Sequence, residues 1–466
     1  MSAAGLLAPP PPIGGRANLV KAVEDPLFFD HHVKQARYEL SRKRFNVVPA
    51  GRRSGKTKVA KRRGCKMAMS NTFWPDFRIA FTAPTYGQVK RIYWEDLKKM
   101  LHGLYRDRDK SESDLMIKLF NGSEVWCIGM DRPDRFEGPS WNWVFADEVA
   151  NMKPEAIEQH VMPALSERLG GLDQYGVPEG RNHYYKTAQF AQEAENADEW
   201  MYHHWTSLEV MPMYLGLEQA ELELERAKRR MDPLTFKQEY EADFIHFIGR
   251  AYHAFEREVH AAKRLQYDPR APLHLCFDFN VEPGVSAIIQ ERREQRIEGP
   301  RADKTLVIGE EVIQKSSTTK RICEKILKNW GTHQGQVYCY GDATGGARGS
   351  AKVRGSDWDI IKQILRPKFK DRLRFRVPRK NPPERVRVNA VNSRFCSASG
   401  FSRMYIDPVN APETATDFDE TMVKKDGSGE IDKSNSERTH LSDSVGYYVA
   451  KRHPIDGGYT TENKQI

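Results

Sequence analysis

The 466 residues are 39% hydrophobic and 29% charged, an ordinary balance for globular protein, and at about 100–200 residues per domain the length predicts two or three domains. The formal net charge of +9 favours a polyanionic partner, nucleic acid first, although that argument gains force only beside a motif. No apolar run approaches the roughly 18 residues of a membrane span. Met1–Pro12 lacks a basic start followed by an apolar core, so no secretory signal is expected. The six cysteines form no CxxC pair, which speaks against a zinc knuckle or redox motif and fits a reducing compartment.

In chain order, residues 1–25 read as a flexible tail around the proline run Pro9–Pro12. From 26 to 245, strand-like and helix-like stretches alternate. Strands are predicted at Phe45–Val48, Phe77–Ala83, Val125–Met130, Trp143–Ala146 and Tyr184–Thr187, with helices between several of them, which implies a parallel sheet with crossover helices. Asn121-Gly122 between two short apolar stretches is a hairpin signal. The charged stretch Leu217–Arg230 reads as a solvated helix. The pairs His31-His32 and His203-His204 lack partners at metal-ligand spacing and read as structural or solvated. Residues 246–272 look like a linker. A second alternating pattern fills 273–452: strands at His274–Asn280, Val285–Gln290 and Thr305–Val312, a helix over Thr318–Trp330, a strand at Gln336–Gly341, a helix over Asp357–Leu365 and a closing helix His440–Arg452. Residues 453–466 form a polar tail. No internal repeat is evident.

The strongest local signal is Phe45–Val48 running into Pro49-Ala50-Gly51-Arg52-Arg53-Ser54-Gly55-Lys56-Thr57. A buried strand, a glycine-bearing turn and Lys-Thr opening a helix direct backbone N–H groups and a helix N-terminus at phosphates. In this reading Gly51, Arg52, Arg53, Ser54 and Gly55 cradle a nucleotide, Lys56 reaches its terminal phosphates and Thr57 ligates Mg²⁺. Ala50 stands where the usual spacing has its first glycine, so the loop is a variant. The apolar strand Trp143–Ala146 delivers Asp147 as a second Mg²⁺ ligand, and Glu148 as the group that orients or deprotonates water. That pair of acids points to ATPases that do mechanical work.

Three further acids sit in unusual settings. Asp278 lies in an apolar strand, Asp342 ends another, and Asp443 opens the last helix. A carboxylate in an apolar strand is costly unless it is paired or holds a cation. Three converging acids can hold two Mg²⁺ or Mn²⁺ ions for phosphodiester hydrolysis. The order strand with Asp, hairpin, third strand, helix, strand with Asp and late helix with Asp matches an RNase H-like nuclease. Asp407, Asp417 and Asp419 are rivals for the third position.

With Ala-Gly-Arg-Arg-Ser-Gly-Lys-Thr, Phe-Ala-Asp-Glu, Phe-Asp-Phe-Asn and Ser-Asp-Ser-Val-Gly-Tyr in one chain, residues 26–452 resemble the large terminase subunit of tailed bacteriophages. The fold class expected is therefore α/β, an N-terminal P-loop ATPase of RecA/ASCE type followed by a C-terminal RNase H-like nuclease. The resemblance further implies that Gln35 contacts adenine, that Arg52 senses the γ-phosphate as part of the catalytic set, and that Thr187 couples hydrolysis to movement. Ala188-Gln189 departs from the usual sequence beside that threonine. Arg132 and Arg135 are alternatives for an arginine finger, and a surface role is open for both. The implied partners are double-stranded DNA, a portal protein, a small terminase subunit and further copies of the chain in a ring, five by analogy. The implied place is the host cytoplasm, docked transiently at a procapsid portal. Two alternatives remain: a helicase-nuclease of repair or recombination, and a DNA-binding assembly protein with decayed sites.

Overall fold

The computed structural model describes residues 32–246, 248–279, 283–294, 302–343, 356–426, 429–435 and 438–455. The chain forms two compact units, one of Met1–Leu224 with Lys237–Ile245, the other of Glu225–Phe236 with His246–Ile466. The tail expected at 1–25, His31, Asn280 and most of 453–466 lie outside the described residues. Among the described residues, no helix is long and apolar enough to cross a membrane.

The first unit is built on an eight-stranded sheet. In chain order its strands are β1 (Phe45–Pro49), β2 (Arg78–Ala83), β3 (Lys110–Ser111), β4 (Met116–Lys118), β5 (Glu124–Gly129), β6 (Trp143–Asp147), β7 (Gly171–Gly176) and β8 (Trp200–Tyr202). They are ordered β3-β4-β5-β2-β6-β7-β1-β8. From β5 to β8 every pairing is parallel, and β3 and β4 add an antiparallel edge through the predicted Asn121-Gly122 hairpin. Strands β1 and β6 are buried along their whole length, as expected for parallel strands covered on both faces. Helix α1 (Val33–Glu39) precedes β1, and α2 (Lys56–Ser70) follows it.

Beyond the short strands β3 and β8, where no strand was expected, the sequence expectation fails at two places here. Tyr184–Thr187 is no strand but part of helix α3 (His183–Phe190), whose first turn is capped by the Asn182 side chain accepting from the Tyr184 N–H. The strand that belongs between β6 and β1 is β7, with the sequence Gly-Leu-Asp-Gln-Tyr-Gly. Its polar residues are tolerated because they are paired. Asp173 accepts from Tyr38 at 2.9 Å and Asn46 at 2.7 Å, and faces Arg63 at 3.0 Å. A Cβ on Gly171 would stand 2.4 Å from the Trp143 indole, so only glycine lets the two strands approach.

The second unit carries a six-stranded sheet: β9 (Leu273–Asp278), β10 (Gly284–Glu294), β11 (Ala302–Ile313), β12 (Val337–Gly341), β13 (Leu373–Phe375) and β14 (Met404–Ile406), ordered β13-β12-β9-β10-β11-β14. β9, β10 and β11 form an antiparallel meander, while β12 and β13 run parallel to β9. Helices α4 (Thr319–Trp330), α5 (Asp357–Phe369), α6 (Glu384–Phe395), α7 (Pro412–Glu420) and α8 (His440–Arg452) complete it. Strands β13 and β14 and helices α6 and α7 fall where no element was expected. The linker expected over 246–272 is instead partly core: Ala251, Tyr252, Phe255 and Ala261 are buried in the cluster that holds Val445, Tyr448 and Val449 of α8.

Candidate active sites

In the first unit the register brings three strand ends together, Asp147 opposite Tyr175 and Pro49 opposite Gly176. The C-terminal edge of a parallel sheet is where α/β folds place ligands. The phosphate loop leaves β1 here. The Gly51 N–H donates to the Trp205 carbonyl, and the Trp205 indole N–H reaches the Ser54 hydroxyl at 3.0 Å. Arg53 and Gly55 both take left-handed backbone, at φ 56° and 77°. That conformation is ordinary for glycine and uncommon for arginine. It turns the chain so that α2 starts at Lys56 with its first N–H groups uncapped by any side chain, the arrangement that favours an anion.

Around that helix start the predicted residues converge. Thr57 donates to Asp147 Oδ2 at 3.0 Å, and Lys56 Nζ lies 3.5 Å from Glu148 Oε1. Asp147 is fully buried. Burial, and then the adjacent Glu148 charge, push its carboxyl up to about 6, against the opposing pull of Lys56, Tyr93 and Thr57. Among the described residues its Oδ1 has no hydrogen-bond partner. A buried, partnerless carboxylate oxygen beside a threonine hydroxyl fits a hard divalent cation. Glu148 sits at φ 57°, a strained backbone for a residue with a side chain. Its carboxylate remains partly exposed, so water can reach it.

Three contributors carried no sequence signal. Tyr93 donates to Asp147 Oδ2 at 2.9 Å and shares a 2.5 Å contact with the Tyr175 hydroxyl, while Trp205 packs under the loop. Gln35 is buried, and its amide donates to the Ser54 carbonyl at 2.8 Å, so it braces the phosphate loop. The Arg52 guanidinium lies 2.9 Å from Glu239. Thr187 lies on α3 rather than at a strand end, and donates to the His183 carbonyl one turn back. The strand end beside Asp147 belongs to Tyr175 instead. Arg132 pairs with Asp134 at 3.1 Å, and both Arg132 and Arg135 are exposed. His203 is buried against Asn46 and His204 lies on the Glu241 carbonyl, both structural contacts.

In the second unit Gly341 pairs with Phe277 on parallel neighbours. The next residues, Asp342 and Asp278, therefore end adjacent strands, about 5 Å apart in backbone. Asp443 arrives from the first turn of α8. All three acids act on one group: the Tyr447 hydroxyl, raised mainly by burial, feels the charges of Asp342, Asp278 and Asp443. Burial, followed by the opposing pull of Arg387 and the push of Asp278, leaves Asp443 at about 6. Each acid has a protein partner. Arg387 lies 2.8 Å from Asp443, Asn381 donates to Asp342 at 2.7 Å, and His440 Nδ1 lies 3.2 Å from Asp278. None of these partners stood out in the sequence. Among the described residues, no three acids, histidines or cysteines stand close enough together to hold a metal ion. The donors are those of a hard-cation site, but they are not closed around one.

The rivals for the third position have other work. Asp417 accepts from the Thr439 and Ser442 N–H groups, both at 2.8 Å, and so caps α8. Asp407 accepts from the backbone of Leu265, Val409 and Asn410. Asp419 pairs with Arg250 and Arg257.

No family model matches the chain. It is 25% identical over 254 residues to the large terminase subunit of Escherichia phage T5, a match spanning 53% of this chain and 51% of that one; the chain thus matches about half the length of this curated relative. Among solved structures it is similar to the large terminase of a thermophilic bacteriophage. The complex of that protein with ADP gives a TM-score of 0.60 at 18% identity, over 91% of this chain and 99% of that one. The complex with ATP-γ-S gives 0.60 at 16%, over the same shares. At that identity the structures establish the fold alone: two α/β units, each with its own sheet, in one chain. The chain is thus similar to bacteriophage large terminase subunits, by sequence over 53% of its length and by fold over 91%.

Proposed function

We propose that this chain is a viral DNA-packaging motor that hydrolyses ATP to drive double-stranded DNA into a procapsid and cuts concatemeric DNA with a metal-dependent endonuclease. The observation that carries the reading is the convergence of Lys56, Thr57, Asp147 and Glu148 at one sheet edge, in a chain whose second unit ends adjacent strands on Asp278 and Asp342 and carries Asp443, which feels the Asp278 charge, on α8.

In the first site Gly51, Arg52, Arg53, Ser54 and Gly55 wrap the phosphates, Lys56 neutralises them, and Gln35 contacts the adenine. Thr57 and Asp147 would hold Mg²⁺, which supplies charge neutralisation on the β- and γ-phosphates. Lys56 holds Glu148 until nucleotide competes for the ammonium. The freed carboxylate then takes the proton of the attacking water. Arg52, released from Glu239, is placed to respond to the γ-phosphate. The coupling role that the family implies falls to Thr187 on α3, while Tyr175 holds the strand end beside Asp147. In the second site Asp278, Asp342 and Asp443 would hold Mg²⁺ or Mn²⁺, two ions by family analogy, which would supply Lewis-acid activation of water and phosphodiester. His440, Asn381 and Arg387 hold the acids in place meanwhile. Partners in this reading are duplex DNA, a portal protein, a small terminase subunit and further copies of the chain in a ring, five by analogy, working in the host cytoplasm at the procapsid portal. Arg132 or Arg135 supplies the arginine finger there.

Displacement of a third strand from a triplex on duplex DNA tests the motor. ATP-dependent displacement without unwinding of the duplex supports packaging. Strand separation would instead favour the helicase-nuclease alternative, against which the second unit's sheet, antiparallel at its centre, is not a second motor fold.

A further inference from the structure

The second unit contains a cavity of about 640 Å³, within the roughly 300–1,000 Å³ typical of small-molecule sites. It lies at the far end of the strands that carry the acids. His274 precedes Asp278 on β9 by four residues, as Tyr338 precedes Asp342 beside β12, a distance of about 13 Å. The last turn of α8 contributes Lys451 and Arg452.

Four cations line the cavity, Arg293, Arg376, Lys451 and Arg452, against two acids, Glu291 and Asp303. Both acids are engaged. Asp303 faces Arg293 at 3.7 Å, and Glu291 accepts from His453, Tyr448 and Thr305. The lining therefore carries a net positive charge. Partial burial and then the Arg376 charge hold the Lys451 ammonium below its ordinary range, as expected where cations crowd together. The remaining wall is aromatic. Tyr338, Tyr340 and His274 line it, with the His274 ring stacked on Tyr338 at 5.4 Å between centroids. The Arg376 guanidinium stands 5.7 Å from the centre of the Tyr338 ring.

We propose that this cavity binds a nucleoside phosphate, the phosphate on Arg376, Lys451 and Arg452 and the base against Tyr338 and Tyr340. An inorganic anion would leave the aromatic wall unused, and an apolar ligand would leave the net charge unanswered. Rings beside cations are the combination by which proteins hold nucleotides and unpaired strands. The ligand is either a free nucleotide or an unpaired nucleotide of a DNA strand, the chemistry being the same. The inference goes beyond the packaging reading and needs neither the phosphate loop nor the three acids.

Photo-cross-linking of the full chain in EDTA tests it, with 5-iodo-deoxyuridine monophosphate as one probe and a short oligodeoxynucleotide carrying a single 5-iodo-deoxyuridine as the other. The cross-link should map to Tyr338 or Tyr340, and its yield should fall about tenfold or more in Arg376→Glu/Lys451→Glu. A cross-link from the monophosphate identifies a free-nucleotide site, and one from the oligonucleotide alone identifies a strand site. A melting temperature close to that of the parent shows that the variant is folded. If the double variant melts early, Arg452→Glu at an exposed position takes its place. Unchanged yield in a folded variant, or cross-links that map only elsewhere with both probes, overturns the proposal.

Discussion

Asp147 in the first unit and Asp443 in the second are both buried acids held near 6, yet their surroundings differ. Asp147 is gripped by two hydroxyls, Thr57 and Tyr93, and keeps one oxygen without a partner among the described residues. Asp443 is gripped by a full guanidinium charge, and Asp278 and Asp342 are likewise occupied, by His440 and Asn381. The first site is arranged so that a cation can enter without displacing a protein group. In the second, protein cations and amides stand where metal would go, and the acids must exchange partners before they close around ions. Under the proposed reading, a site that turns over continuously would gain from the first design, and one that must be held inactive until it is needed would gain from the second.

Four substitutions test this contrast. The largest effect is expected for Lys56→Ala, which removes the phosphate clamp and the partner of Glu148. ATP turnover should fall on the order of 10³-fold, read in a steady-state phosphate-release assay, with cutting unaffected. Glu148→Gln should lower turnover by about 10²- to 10³-fold while nucleotide affinity stays near that of the parent. If affinity fell as far as turnover, Glu148 would be a binding group and its role here would be wrong.

In the second unit, Arg387→Met leaves Asp443 buried without its cation and should destabilise by about 3–5 kcal/mol, measured by denaturant unfolding. In the first, Asp147→Asn should do the opposite. The raised carboxyl means that the folded state binds the proton more tightly than the unfolded chain. The ionised acid therefore costs stability progressively as pH rises from about 4 through 6, and the cost is complete above that. A shift of about two units corresponds to roughly 3 kcal/mol. The asparagine variant should melt higher than the parent at pH 8, and the advantage should vanish near pH 4. An equal gain at both pH values would show that the charge is not the cause.

The two sites also differ in how far the sequence disclosed them. The first is legible because its chemistry is contiguous: a strand, Gly51 to Thr57, and then a strand ending in Asp147-Glu148. What stayed hidden there was β7, since two glycines, an aspartate and a glutamine carry no apolar strand pattern, and Asp173 is tolerated only because Arg63, Asn46 and Tyr38 pair it. Tyr184–Thr187 suggested a strand in its place, where the structure instead has a helix capped by Asn182. In the second unit Asp278 and Asp342 were legible because an acid in, or ending, an apolar strand stands out, and Asp443 because it opens the closing helix. Their partners Asn381, Arg387 and His440 were not, because each is an ordinary polar residue whose meaning depends on contacts across 39, 56 and 162 positions of chain. Helix α6, which supplies Arg387, is buried on most sides and therefore shows no amphipathic period.

The central claim is that one chain holds two separate catalytic centres. The most direct test is metal-dependent plasmid cleavage by the full chain with Asp278→Ala beside Lys56→Ala, each also assayed for ATP turnover. The account predicts that Asp278→Ala hydrolyses ATP and does not cut, and that Lys56→Ala cuts and does not hydrolyse. Full metal-dependent cutting by Asp278→Ala would contradict it.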